Sequence, residues 1–196
     1  MSPQAEFILS LFRSTGAYLT GHFRLTSGLH SSEYLQCALV LQYPAHAERL
    51  GQMLAEELKA LVAGPVNVVA SPALGGLIIG HEVARALNAR FIFMERDSSG
   101  KMTLRRGFSV TSSETAVVVE DVITTGGSTR DVVNVLAAAG VRVAAAGSIV
   151  DRSGGEASVG TPRVSLATLK VVAYTPEECP LCAQGVPAVK PGSRHI

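Results

Sequence analysis

Tryptophan is absent from this chain, and aromatic residues make up only 5% of its 196 positions. Stacking platforms for single-stranded nucleic acid are therefore scarce. An excess of one charge is also lacking: 17 basic residues face 16 acidic ones, for a net charge of +1. Nucleic-acid binders ordinarily show a basic excess or stripe, so nucleic acid is not an expected partner. No apolar run approaches the about 18 residues of a membrane span, so no membrane role is expected. The opening Met1-Ser2-Pro3-Gln4-Ala5-Glu6 places no basic stretch ahead of an apolar one, unlike a secretory signal. Cysteines number only three. An odd, small count argues against a disulfide framework and for a reducing compartment, with the cytoplasm as the expected location. Neither a Gly-x-Gly-x-x-Gly fingerprint nor a Walker A loop occurs. His81-Glu82 is followed by Arg85 where a zinc-protease helix needs its second histidine.

What is present is a chain 47% hydrophobic with 19 glycines, long enough to bury a core without staples. Phe7, Ile8, Leu11 and Phe12 recur at helical spacing, with Gly16 as a stop. Phe23 to Leu35 reads as two short strands around a turn, and Ala45 to Val62 as an amphipathic helix with Leu50, Leu54, Leu58 and Leu61 on one face. From Val66 the rhythm becomes strand, loop, helix: strands at 66–70, 90–94, 115–122 and 142–151, helices ending near Asn88 and Gly140. Apolar strands alternating with helices predict an α/β fold, a mostly parallel central sheet flanked by helices, with a small N-terminal cap. Ligands of such sheets bind beyond the carboxyl ends of the strands.

One segment concentrates the chemistry: Val117-Val118-Val119-Glu120-Asp121-Val122-Ile123-Thr124-Thr125-Gly126-Gly127-Ser128-Thr129. Neighbouring strand residues point to opposite faces, so one of the two carboxylates is expected to face inward. Burial of unpaired carboxylates is costly. At a strand end they can accept hydrogen bonds from vicinal hydroxyls or face a cation. The hydroxyl- and glycine-rich loop then runs into a helix, whose N–H groups and dipole suit a phosphate monoester. A plain alternative is a helix N-capped by Ser128 or Thr125. That explains the hydroxyls but not the doubled carboxylates and doubled glycines, so the residues favour a ribose-phosphate pocket.

On these residues the chain resembles a known family. Glu120 to Thr129 is similar to the 5-phosphoribosyl-1-pyrophosphate (PRPP) signature of type I phosphoribosyltransferases. Phe23 to Gln36 is similar to the base-binding segment of the orotate phosphoribosyltransferases, Pro72 to Gly76 to their pyrophosphate loop, and Asp151-Arg152 to their Asp-Arg pair under orotate. The resemblance runs from about Phe7 to Arg152. It implies the type I fold with a hood, as one domain: cap and base-binding segment at 1–62, PRPP-binding core at 63–175, tail at 176–196. It also implies transfer of a phosphoribosyl group from PRPP to orotate, with Mg²⁺ held mainly through PRPP.

Residue by residue, the resemblance assigns Glu120 and Asp121 to the ribose hydroxyls, and Thr124, Thr125, Gly126, Gly127, Ser128 and Thr129 to the 5-phosphate. Ala73, Leu74, Gly75 and Gly76 would face the pyrophosphate. Thr26, Ser27, Tyr34 and Leu35 would line the base, and Arg152 would pair with orotate oxygens, a task suited to a planar guanidinium. A segment around Arg96 to Arg106, including Lys101 and Arg105, would close over the pyrophosphate and reach a partner subunit's site, implying a homodimer. The chain departs from the family pattern at Thr26 and Gly75, where lysine is common, at Glu95-Arg96 for Arg-Lys, at Lys101 for the loop histidine, and at Glu120-Asp121 for Asp-Asp.

Two rivals remain: a purine phosphoribosyltransferase, and a PRPP-sensing RNA-binding regulator on the same fold. Cys179-Pro180-Leu181-Cys182 has metal-ligand spacing, but four ligands are needed, and nothing in sequence brings Cys37 or His195 to it. A structural contact of the tail is the first reading, with metal or a reversible disulfide behind it. His22 and His30 read as solvated turn histidines.

Overall fold

The computed structural model describes residues 2–25 and 27–190. In chain order its elements are α1 (Pro3–Ser14), β1 (Tyr18–Arg24), β2 (His30–Leu35), α2 (Cys37–Leu41), α3 (Pro44–Leu61), β3 (Val68–Pro72), α4 (Gly76–Leu87), β4 (Arg90–Arg96), β5 (Met102–Leu104), β6 (Thr115–Ile123), α5 (Gly127–Ala138), β7 (Arg142–Asp151), β8 (Arg163–Thr168) and α6 (Pro180–Ala183).

Six strands form one sheet in the order β5-β4-β3-β6-β7-β8. All neighbours run parallel except β5, which is antiparallel to β4. From β3 the chain passes outward to β4 and β5, then returns to β6 on the other side of β3. Strand order therefore reverses between β3 and β6, and the loops after Pro72 and Ile123 diverge there. Such a switch point opens a crevice at the carboxyl ends.

The β6 run is apolar on both faces because both are covered. Val117 and Val119 pack with α1, α3 and α4 residues such as Ile8, Leu54 and Ile79, whereas Ala116 and Val118 pack with Val132 and Leu136 of α5. Small residues bring helices close. A Cβ on Gly51 would lie 2.5 Å from Glu82 Cβ, so α3 and α4 touch at backbone distance, and one on Gly80 would strike Ser71 Oγ of β3. Among the described residues no helix is long and apolar enough to cross a membrane.

Several features differ from the sequence reading. The polar segment after Glu95 contains β5, because Asp97 Oδ1 accepts from the Ser99 and Lys101 amides and turns the chain into a short hairpin. β8 adds an edge strand beyond Asp151, and α2 and α6 are too short for periodicity to reveal. Within the N-terminal stretch α3 packs on α4 and β7 and α1 on β8, while β1 and β2 form a two-stranded sheet of their own, the hood.

The tail is part of that hood. Arg24 donates its amide to Val189, Val189 donates to His22, and His30 and Tyr174 exchange both backbone bonds. His22 and His30 are accordingly buried, at 4% and 7% exposure, rather than solvated.

Candidate functional site

The two carboxylates at the end of β6 take opposite directions, as strand alternation requires. Glu120 accepts a hydrogen bond from the Thr129 hydroxyl on α5. Burial raises its pKa to about 7; the Thr129 bond opposes this, the Asp121 charge adds to it, and Arg96 opposes it. Asp121 faces the hood side, where burial also raises its pKa. It lies against the loop after β3: a Cβ on Gly75 would be 2.5 Å from Asp121 Oδ1. A carboxyl held towards neutrality by desolvation is one whose ionised form awaits a donor or a cation.

The start of α5 lacks the side-chain cap that the plain reading supplied. Its N-cap is Gly126 at φ 75°, and no side chain there accepts from the first-turn amides. Glycine fits for two reasons, the left-handed φ and a Cβ that would meet Val159 Cγ1 at 2.8 Å. The helix therefore presents amides and the positive end of its dipole at the crevice. Thr124 and Thr125 are exposed beside them, and Gly127 and Ser128 are half-buried. Thr129 differs from its neighbours: it is fully buried and turned to Glu120.

The loop after β3 divides at Gly75-Gly76. Leu74 is 81% exposed and Gly75 is exposed, so Ala73 to Gly75 border the crevice. Gly76 is buried, and a Cβ on it would lie 2.9 Å from Ser71 Cβ and 3.0 Å from the Val119 carbonyl. Its missing Cβ serves the packing of α4 on the sheet.

Between hood and sheet lies a cavity of about 240 Å³, lined by Leu25, Ser27, Tyr34, Leu35, Gln36, Asp121, Val122, Thr124, Thr125 and Arg152. It gathers Ser27, Tyr34, Leu35, Asp121, Thr124, Thr125 and Arg152 from three distant stretches of sequence. Thr26 lies outside the described residues. Leu25, Gln36 and Val122 were not singled out from the sequence, although each adjoins a residue that was. Arg152 Nε is buried and has no hydrogen-bond partner among the described residues. Burial lowers the Arg152 pKa, with Tyr34, Glu33 and Cys37 opposing. A half-buried guanidinium that lines a cavity and has an unpartnered Nε is suited to a planar anion.

Asp151, its sequence neighbour, turns away. It is fully buried, pairs with Arg163 at 2.7 Å, and accepts from the Ser153 amide and hydroxyl and from the Gly155 amide. Burial pushes its pKa up, but the Ser153 bonds and Arg163 outweigh that and hold it below the ordinary value. It braces the loop that carries Arg152.

The cationic segment is folded on its own chain. Arg96 binds Asp131 at 2.9 Å and the Gly100 carbonyl at 2.7 Å, and Arg106 forks onto Glu95 at 2.7 and 2.8 Å. Arg96 and Lys101 border a second depression with Asp131 and Asn134, not the Arg152 cavity. Among the described residues neither Lys101 nor Arg105 has an ion-pair partner, and both are exposed.

The phosphoribosyl transferase domain family matches residues 40–176. The chain is 55% identical over 190 residues to the orotate phosphoribosyltransferase of Pelotomaculum thermopropionicum, covering 96% of this chain and 97% of that protein. It is 54% identical over 187 residues to that of Heliobacterium modesticaldum, covering 95% and 97%. The solved orotate phosphoribosyltransferase of Aeropyrum pernix superposes with a TM-score of 0.69 at 28% identity, over 83% of this chain and 94% of that one.

Proposed function

The chain belongs to the orotate phosphoribosyltransferases, within the phosphoribosyl transferase domain family, and on that premise we propose how its residues divide the work. The reaction moves the 5-phosphoribosyl group of PRPP to N1 of orotate, giving orotidine 5′-phosphate and pyrophosphate, a step of pyrimidine nucleotide synthesis.

The observation that carries the assignment is Arg152. Its buried Nε lacks a partner in a cavity that Tyr34 and Leu35 close from the hood and Asp121, Thr124 and Thr125 close from the sheet. Orotate supplies what that cavity lacks, a flat ring bearing a carboxylate. A neutral purine would leave the half-buried guanidinium without a counter-charge, which disfavours the purine rival.

The 5-phosphate lies on the α5 amides, with Thr124, Thr125 and Ser128 as hydroxyl donors. Thr129 acts through Glu120, orienting its carboxylate towards the ribose diol, and Asp121 takes the neighbouring hydroxyl. The amides of Ala73 to Gly75 face the pyrophosphate. Cleavage of the C1–pyrophosphate bond runs ahead of bonding to N1, so the chain's task is positioning and stabilisation of charge rather than proton transfer. The two half-buried carboxylates at the end of β6, both raised in pKa and with only Asp121 lining the cavity, lie where a divalent cation brought in with PRPP would be welcome. Mg²⁺ in that place would neutralise the leaving group while keeping most of its waters. Lys101 and Arg105 are the cations that remain for closure over the pyrophosphate, in a homodimer across the partner's site.

The test is an absorbance assay with PRPP and Mg²⁺, offering orotate, uracil, adenine, guanine, hypoxanthine and xanthine separately. Turnover of orotate alone is expected. Turnover of a purine would overturn the reading of the hood segment, and silence on every base, with retention on RNA at low salt, would favour the regulator.

A further inference from the structure

Four side chains with no part in that reaction meet between the hood and the tail. His22 and His30 meet across the β1–β2 hairpin, where Arg24, two residues beyond His22, pairs with His30. Cys179 caps α6 and Cys182 lies within it. His22 Nε2, His30 Nδ1 and the two Sγ atoms all fall within 4.8 Å of one another.

The individual separations describe a coordination shell. Cys179 Sγ is 3.4 Å and Cys182 Sγ 3.8 Å from His22 Nε2, and Cys182 Sγ is 3.2 Å from His30 Nδ1. Zinc binds sulfur at about 2.3 Å and nitrogen at about 2.0–2.1 Å, so a tetrahedral site has ligand–ligand edges of about 3.3–3.8 Å. The Cys182–His30 contact falls just under that range and the His22–His30 contact clearly under it, at 2.8 Å. The outer partner is in place as well. His22 Nδ1 stands 2.6 Å from the Val186 carbonyl, which fixes the proton on Nδ1 and leaves the Nε2 lone pair facing the cluster, as metal-bound histidines require. His22, His30 and Cys179 are buried while Cys182 is exposed, so the site is closed yet reachable from one side.

We propose that His22, His30, Cys179 and Cys182 form a structural zinc site that fastens the C-terminal tail to the hood. On binding, Zn²⁺ displaces the two thiol protons to solvent, and His30 carries its proton on Nε2. Two thiolates and two neutral imidazoles leave the site uncharged, which suits its burial. The same hairpin continues into Leu25 and Ser27 at the cavity. The metal therefore holds one wall of the base pocket without touching substrate. The catalytic reading stands or falls separately.

The test uses untagged full-length protein, expressed with added zinc and purified under reductant without chelator. The expected result is about one zinc per chain by elemental analysis, and on Co²⁺ exchange the intense visible bands and thiolate charge transfer of a four-coordinate site. Cys179→Ser and Cys182→Ser should lose most of the metal, and chelation should lower Tm in the wild type only. Protein that purifies without zinc, gives only weak octahedral cobalt bands and titrates both thiols freely would overturn the proposal and leave a hydrogen-bonded cluster. A Cys179–Cys182 disulfide persisting under reductant would overturn it too. Should the variants fail to fold, the wild-type cobalt spectrum decides alone.

Discussion

Gly75, on the loop after β3, sits directly against the Asp121 carboxylate at the end of β6: a Cβ in its place would lie 2.5 Å from Oδ1 and 2.8 Å from Cγ. The backbone of Gly75 is helical, at φ −57° and ψ −40°, so alanine meets no conformational penalty there. Its only cost is displacement of Asp121. Gly75→Ala is therefore expected to fold with Tm little changed while kcat/KM drops about 10²-fold, the scale of a misplacement near 1 Å. An equal fall in Tm and activity would contradict this.

Glu120 ties stability to pH through its raised pKa. With a folded value of about 7 against an ordinary 4.5, the folded chain binds more protons than the unfolded chain between those values. Stability of the ligand-free protein therefore falls as pH rises from about 4.5 to 7, by about 3 kcal/mol at most. Glu120→Gln should raise Tm at pH 8, and the difference should vanish near pH 5. Differential scanning calorimetry at the two pH values checks it.

Arg152 is predicted to separate stability from binding. Removing a half-buried cation whose Nε lacks a partner relieves desolvation, so Arg152→Ala should not lower Tm. Loss of a charged hydrogen bond to orotate, about 1.5–3 kcal/mol, corresponds to a rise of about 10- to 100-fold in KM for orotate. The KM for PRPP should move little, and steady-state kinetics varying each substrate distinguishes the two.

Asp151 should behave in the opposite way. Asp151→Asn leaves Arg163, only 15% exposed, without its counter-charge, and breaking a buried pair costs about 3–5 kcal/mol. In the wild type the lowered pKa contributes stability that is present above the ordinary 3.8 and is lost as pH falls through the folded value. Denaturant unfolding at pH 7 and pH 3 should show the variant's deficit shrinking in acid.

If sites are shared between subunits, mixing Lys101→Ala/Arg105→Ala with Glu120→Gln/Asp121→Asn should restore activity that neither has alone. Hybrid dimers that form without recovery would rule loop sharing out.

The α/β class, the parallel strands and the ribose-phosphate segment were legible because each is written in contiguous residues. β6 and the α5 N-terminus need only the stretch 115–129, where period, hydroxyls and glycines report together. The plain alternative of a cap at Ser128 or Thr125 is not what forms there, because Gly126, with positive φ and a tight contact to Val159, takes the cap position. β5 and β8 were missed since an edge strand of three or six residues carries too little pattern to separate from a loop.

The sequence by itself therefore determined the fold class, the family resemblance and the chemistry at the carboxyl end of β6, where local order dictates which groups are neighbours. Tertiary structure alone decided that Asp151 turns inward while Arg152 faces the cavity, that Gly76 serves packing while Gly75 meets Asp121, and that two histidines meet two cysteines. His22 and Cys179 lie 157 residues apart. Only the pairing of the tail with the hood hairpin brings their side chains within bonding distance, and no local pattern encodes that approach.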